Sequence, residues 1–265
     1  MITKNEIASF IKKIPPAPEA LKKTLTLLNL GELTKAAKVA QTDLALSAYL
    51  KDLVNKPIYG FRNEVTDTSQ IFAILGVSAS QQAVYNYMIS LLSPNKWLLF
   101  KLNKNTFHEL QASLSKKWEK ILKHLDIHDK DIESSISLLP ASIIVSEALF
   151  CQKLEEVTLL RTTKALDYNT ILTRLSGIGL FDICERVARK WEMPSKIADI
   201  IQAASGIKPS QDEEIDLLGK WMHLLLFYEL SQPLFLEADL NDFIDFQVDY
   251  VSSIYSDFSQ LMEIS

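Results

Sequence analysis

Glycine and proline are scarce in this sequence, with 7 and 9 among 265 residues. That scarcity argues against many short strands joined by tight turns, and with 48% hydrophobic residues it suits long helices. It also leaves little backbone to wrap a phosphate. No Gly-x-Gly-x-x-Gly, no Gly-Lys-Ser/Thr loop and no Gly-x-Ser-x-Gly elbow occurs. Only two cysteines are present, Cys151 and Cys184, too far apart for a Cys-x-x-Cys redox or zinc motif. Two free buried thiols are expected rather than a disulfide.

Positive charge is not in excess: 28 basic residues face 33 acidic ones, for a net charge of −5. Such a molecule repels a phosphate backbone, so nucleic acid is not an expected partner. The basic pairs Lys12–Lys13, Lys22–Lys23 and Lys116–Lys117 read as solvated helix faces. The start, Met1 to Glu6, lacks the basic residues and apolar core of a secretory signal. Trp221 to Tyr228, read as the longest apolar stretch, falls well short of the roughly 20 residues that span a bilayer. A cytoplasmic chain without a membrane partner is therefore expected.

What is present is apolar residues at three- and four-residue spacing nearly throughout, the helical period. The run Ile14-Pro15-Pro16-Ala17-Pro18 enters a helix that carries Leu21, Leu25 and Leu28 to about Asn29. Gly31 ends it, and a second helix carries Leu33, Ala36, Ala37 and Ala40. Asp43 caps a third with Leu46, Leu50, Leu53 and Val54 inward, closed by Pro57. Asp67 or Thr68 caps a short helix that Gly76 ends, and a longer one follows to Leu92. Beyond Pro94, helices are expected over 106–125, 129–152, 169–178, 179–191, 195–205, 212–231 and 239–262. The last places Leu240, Phe243, Ile244, Val251, Ile254 and Phe258 on one apolar face, and a homodimer is expected if Phe246 and Val248 stay outside the bundle. With no linker between the halves, the chain reads as one unit, 1–265, with subdomains 1–103 and 104–265.

Residues with chemistry are few. His124 and His128, four apart, share one face if their helix continues, with Asp126, Asp129 and Asp131 as oxygen donors, yet a solvated polar turn accounts for all five. His108 stands near a helix start, and His223 reads as a satisfied core histidine. Asn55, Tyr59, Gly60 and Arg62 form one loop unusual for a connector, and are the candidate ligand- or partner-binding residues. For Asn55 a structural bond across the loop competes with that role, as does positive φ for Gly60.

Several of these segments carry a resemblance. Ile14-Pro15-Pro16-Ala17-Pro18-Glu19, Asp43 to Leu50, Val54-Asn55-Lys56-Pro57-Ile58-Tyr59-Gly60, Ala73-Ile74-Leu75-Gly76 and Trp191-Glu192-Met193-Pro194 resemble, in order, motifs of the HDOD domain, a signalling relative of the HD phosphohydrolases. The resemblance covers about residues 14–206 and departs at Leu44, Lys56 and Pro57. It implies an all-α bundle, an N-terminal helical part packed on an HD-type helical part. HD phosphohydrolases hold divalent metal with histidines and an adjacent His-Asp pair. Here Ser137 to Ile143 looks like the stretch that bears the pair, with Pro140 and Ala141 in its place. A His-His pair of the wider family falls near Ala204 and Ser205. None of these four side chains supplies an imidazole or carboxylate. The expectation is a bacterial, noncatalytic signal-transduction module without a metal or other cofactor, acting on a signalling protein or a small nucleotide ligand. The alternatives are a divergent metal-dependent phosphohydrolase drawing on His108, His124 or His128, and a nucleotide-binding regulator.

Overall fold

The computed structural model describes residues 2–57, 60–207 and 210–264, and among them every regular element is a helix. Helix α1 (Lys4–Lys13) starts at a capping box in which Thr3 accepts from the Glu6 amide while the Glu6 carboxylate accepts from the Thr3 amide. Ile14 to Pro18 then lead into α2 (Glu19–Asn29), followed by α3 (Leu33–Ala40) and α4 (Leu44–Val54). The Asp43 carboxylate caps α4, accepting from the Ala45 and Leu46 amides at 3.0 Å. Asp67 caps α5 (Thr68–Ser90) in the same way. Gly76, at φ +72°, divides α5 into the short and long segments that the sequence predicts.

The second part begins at α6 (Lys104–His124), capped by Asn103. One helical run with two 3₁₀ turns follows, made of α7 (Lys130–Ser135), α8 (Leu139–Phe150) and α9 (Leu154–Lys164). Then come α10 (Tyr168–Ser176), α11 (Leu180–Lys190), α12 (Ser195–Ala203) and α13 (Glu213–Leu230), and the short α14 (Pro233–Leu236), α15 (Val248–Val251) and α16 (Tyr255–Met262). The run from Lys130 to Lys164, rather than Trp221 to Tyr228, holds the long apolar stretch. By length and composition it is apolar enough to cross a membrane, yet 89% of that window is buried inside the molecule. The predicted helix over 239–262 is not continuous, because Leu240 to Gln247 run irregularly before α15. There the Asp242 and Phe243 carbonyls accept from the Tyr168 and Asn169 amides, which fixes the chain outside a helix.

Two apolar cores result. The smaller gathers α2 to α5 around Leu21, Leu28, Leu50, Ile71, Phe72 and Val84. The larger gathers the remaining helices around Trp118, Phe150, Tyr168, Trp221 and Phe243. Each fully buried Leu, Ile or Phe side chain contributes about 2 kcal/mol. The division differs from the predicted one at 103/104, since α1, Ile89 and Phe100 sit in the larger core. Trp191 and Met193 pack against both cores, and the Trp191 indole N–H donates to the Pro15 carbonyl at 3.2 Å. The Pro-Pro and Trp-x-x-Pro motifs thus meet at one junction.

Buried Glu147 on α8 fixes the connector between the cores. Its carboxylate accepts from the amides of Leu98, Leu99 and Phe100, which satisfies a stretch with no regular structure of its own. Glu229, also buried, pairs with Lys117 at 2.6 Å between α13 and α6. The thiols differ: Cys184 is buried and its pKa is pushed up to about 12 by that burial, whereas Cys151, expected to be buried, is half-buried.

Candidate functional site

The stretch Ser137 to Ile143 spans a 3₁₀ turn and the start of α8, and all of it is buried. Pro140 stands in the first turn of α8, where its missing N–H leaves nothing unpaired. Ala141 has 0% exposure. The Leu139 carbonyl accepts from the Ser142 hydroxyl at 2.6 Å and from the Cys184 thiol at 3.6 Å. Ala204 is equally closed, and its carbonyl accepts from His223 Nδ1 at 2.9 Å. Ser205 donates to the Gln202 carbonyl at the end of α12.

His223 is the satisfied core histidine that the sequence predicts. With Nδ1 donating, Nε2 accepts from the Gln247 amide at 3.4 Å, and the ring stacks on Phe181. Burial holds its pKa below the ordinary value, so the ring is neutral.

His124 and His128 do not share a helix face, because α6 ends at His124. His124 leans on Trp221, whereas His128 is exposed beside Asp126 at 3.3 Å. Asp129 caps α7 and pairs with Lys196, which together hold its pKa below the usual range against the opposing effect of burial. Among the described residues, no three His, Cys, Asp or Glu side chains are grouped so that they could hold a metal ion.

The predicted loop is held by Asn55. Its amide group donates to the Lys51 and Val65 carbonyls and accepts from the Val65 amide, all within 2.9 Å, which ties the end of α4 to Val65. Gly60 takes φ +69° and Arg62 is exposed. Tyr59 lies outside the described residues. Asn55 is therefore a structural clasp whose residue also lines a cavity of about 500 Å³ with Lys51, Lys56, Glu64, Lys104 and His108.

His108 is the residue that sequence reasoning undervalued. It sits in the second turn of α6 with 7% exposure, its ring edge against Tyr49 at 5.1 Å, and its ring makes no hydrogen bond with a described residue. Burial, then the nearby Lys104 and Lys56 ammonium groups, lower its pKa to about 4, so the imidazole is neutral at pH 7. It lines the first cavity and also a second, of about 580 Å³, bounded by the end of α5, the connector and the start of α6. This cleft is formed within one stretch, residues 90–108, where the chain passes from α5 through the connector into α6.

The fold is that of an HD-like helical bundle. The HDOD domain family model matches residues 14–207, and the chain belongs to that family. Among solved structures, an HDOD domain protein with unknown function from Geobacter sulfurreducens is similar at 15% identity and a TM-score of 0.67, over 98% of this chain and 95% of that one. A protein from Shewanella amazonensis SB2B, whose name proposes a phosphohydrolase, is similar at 16% identity and a TM-score of 0.60, over 97% of both. At these identities the likeness shows the fold alone. Among curated proteins there is no match.

Proposed function

We propose that the chain is a noncatalytic bacterial signal-transduction module that works by binding a protein or a small ligand. The observation that supports this reading is what stands where the resemblance places the His-Asp pair of the HD phosphohydrolases. The Pro140 and Ala141 side chains offer no lone pair to a metal, and both residues are buried in apolar core. His108, the most secluded of the remaining imidazoles outside the core, faces lysines, which oppose a cation. The test is elemental mass spectrometry on protein purified without chelator, together with turnover of a generic phosphodiester and several nucleotides. Substoichiometric metal and no turnover are expected. Near-stoichiometric Mn, Fe, Zn or Ni accompanied by hydrolysis would sink the reading in favour of a divergent phosphohydrolase.

A further inference from the structure

The cavity of about 580 Å³ beside His108 is chemically one-sided. It is lined by Lys96, Lys104, Asn103, Ser93, Trp97 and His108, among others, and no carboxylate among the described residues lines it, although the chain as a whole carries a net charge of −5. Neither Lys96 nor Lys104 forms an ion pair with any described residue. The neighbouring cavity behaves differently: its Lys51 and Lys56 are matched by Glu64 and Glu109 at 2.7 and 2.8 Å. Lys104 lines both cavities, and what sets the larger one apart is that no described carboxylate stands beside its lysines.

Three further features give the cavity a direction. The first turn of the 21-residue α6 opens at its edge and adds the positive end of a long helix. His108, more than nine-tenths buried and without a hydrogen-bond partner among the described residues, reaches the cavity with neutral ring nitrogens that can donate or accept. Half-buried Trp97, packed on Phe107 at 5.6 Å, supplies an aromatic wall held in place by the connector that Glu147 anchors. The volume lies within the range of small-molecule sites.

We propose that this cavity binds a phosphomonoester carried on a planar ring, a nucleoside monophosphate in its simplest form. Lys96 and Lys104 hold the phosphate, His108 bonds to it from below, and Trp97 packs against the ring. The assignment rests on the regulatory reading above and names the class of its ligand. It includes no bond breaking.

The test is calorimetric titration of the full chain with AMP, GMP, CMP and UMP, with adenosine and inorganic phosphate as partial ligands, and with each nucleotide assayed for hydrolysis in the same samples. At least one nucleotide is expected to bind, with its nucleoside and inorganic phosphate each about tenfold weaker or more. Lys96→Gln and Lys104→Gln each weaken binding by about tenfold without moving the melting temperature, while Lys38→Gln, on the exposed face of α3, leaves it unchanged. No nucleotide binding, or affinity indifferent to Lys96 and Lys104, overturns the site and leaves the regulatory reading intact. A nucleoside that binds as tightly as its monophosphate overturns the phosphate assignment, and inorganic phosphate binding as tightly as the nucleotide overturns the ring's. Binding with turnover keeps the site and overturns the noncatalytic reading instead.

Discussion

The first turns of α6 and α8 make opposite use of a helix start. At α8, Pro140 removes a donor, Ala141 removes a side chain, and Ser142 turns its hydroxyl back onto the Leu139 carbonyl. At α6, Asn103 accepts from two amides, while Lys104 has no ion pair and the His108 ring no hydrogen bond among the described residues, both beside open space. One start is sealed into apolar core and the other borders a polar cleft. The difference teaches that the positions resembling a metal-binding stretch are packed in apolar core, while polar groups without a described partner border the start of α6.

The harshest way to break that comparison is to restore the missing pair. Pro140→His with Ala141→Asp places an imidazole and a carboxylate where Ala141 has no exposure. Overpacking and an unpaired buried charge together cost about 4 kcal/mol or more. Urea denaturation with and without Mn²⁺ measures this. A variant that keeps wild-type stability, or gains it with metal, shows that the stretch is still a ligand cradle.

Glu147 comes next, because it joins the two regions: it stands on α8 and holds the wall of the cleft. Glu147→Ala leaves the Leu98, Leu99 and Phe100 amides without their acceptor and is expected to cost about 3 kcal/mol, read from the denaturation midpoint. Glu147→Gln retains one carbonyl and costs about half as much. Equal, small losses for both would mean that the connector is held by its apolar side chains alone. A smaller effect, about 1 kcal/mol, is expected for Trp191→Phe, which removes the indole donor to Pro15 while keeping an aromatic ring at the junction of the cores. Thermal melts resolve it, and a neutral result would assign the Trp-x-x-Pro motif to packing only.

Much of this architecture was legible in sequence wherever punctuation residues act locally. Asp43, Asp67 and Gly76 mark boundaries by bonds or dihedrals that involve only their neighbours. Helix α1 escaped notice because it is short and largely polar, with only Ile7 and Ile11 buried, and α9 because Val157 alone turns fully inward. The C-terminal segment misled in the other direction. Leu240, Phe243 and Ile244 have helical spacing, yet the long-range bonds to Tyr168 and Asn169 decide their backbone. The site was less legible than the fold. Asn55 stood out by residue type and proved to be a clasp, whereas His108 gave no signal until residues from α4, α5 and the connector were brought around it.

The gentlest probe of the comparison is the titration of His108, which produces a slope in stability rather than a lost interaction. In the unfolded chain its imidazole takes a proton near the ordinary value of 6.5, but in the fold not until about 4, because burial and then Lys104 and Lys56 oppose the charge, only partly offset by Asp52 and Glu109. Between those values the unfolded state binds more protons, so stability rises with pH across this window. This contribution is fully present above about pH 6.5, is lost progressively as pH falls towards 4, and changes no further below that. His223 shifts in the same direction, so wild-type stability alone does not isolate the effect. The difference between wild type and His108→Gln does: the variant's curve is expected to be shallower from pH 6.5 to 4, with the gap between the two closing as pH falls. Parallel curves would mean that the ring titrates as if in water, and the start of α6 would then be ordinary surface rather than the wall of a cleft.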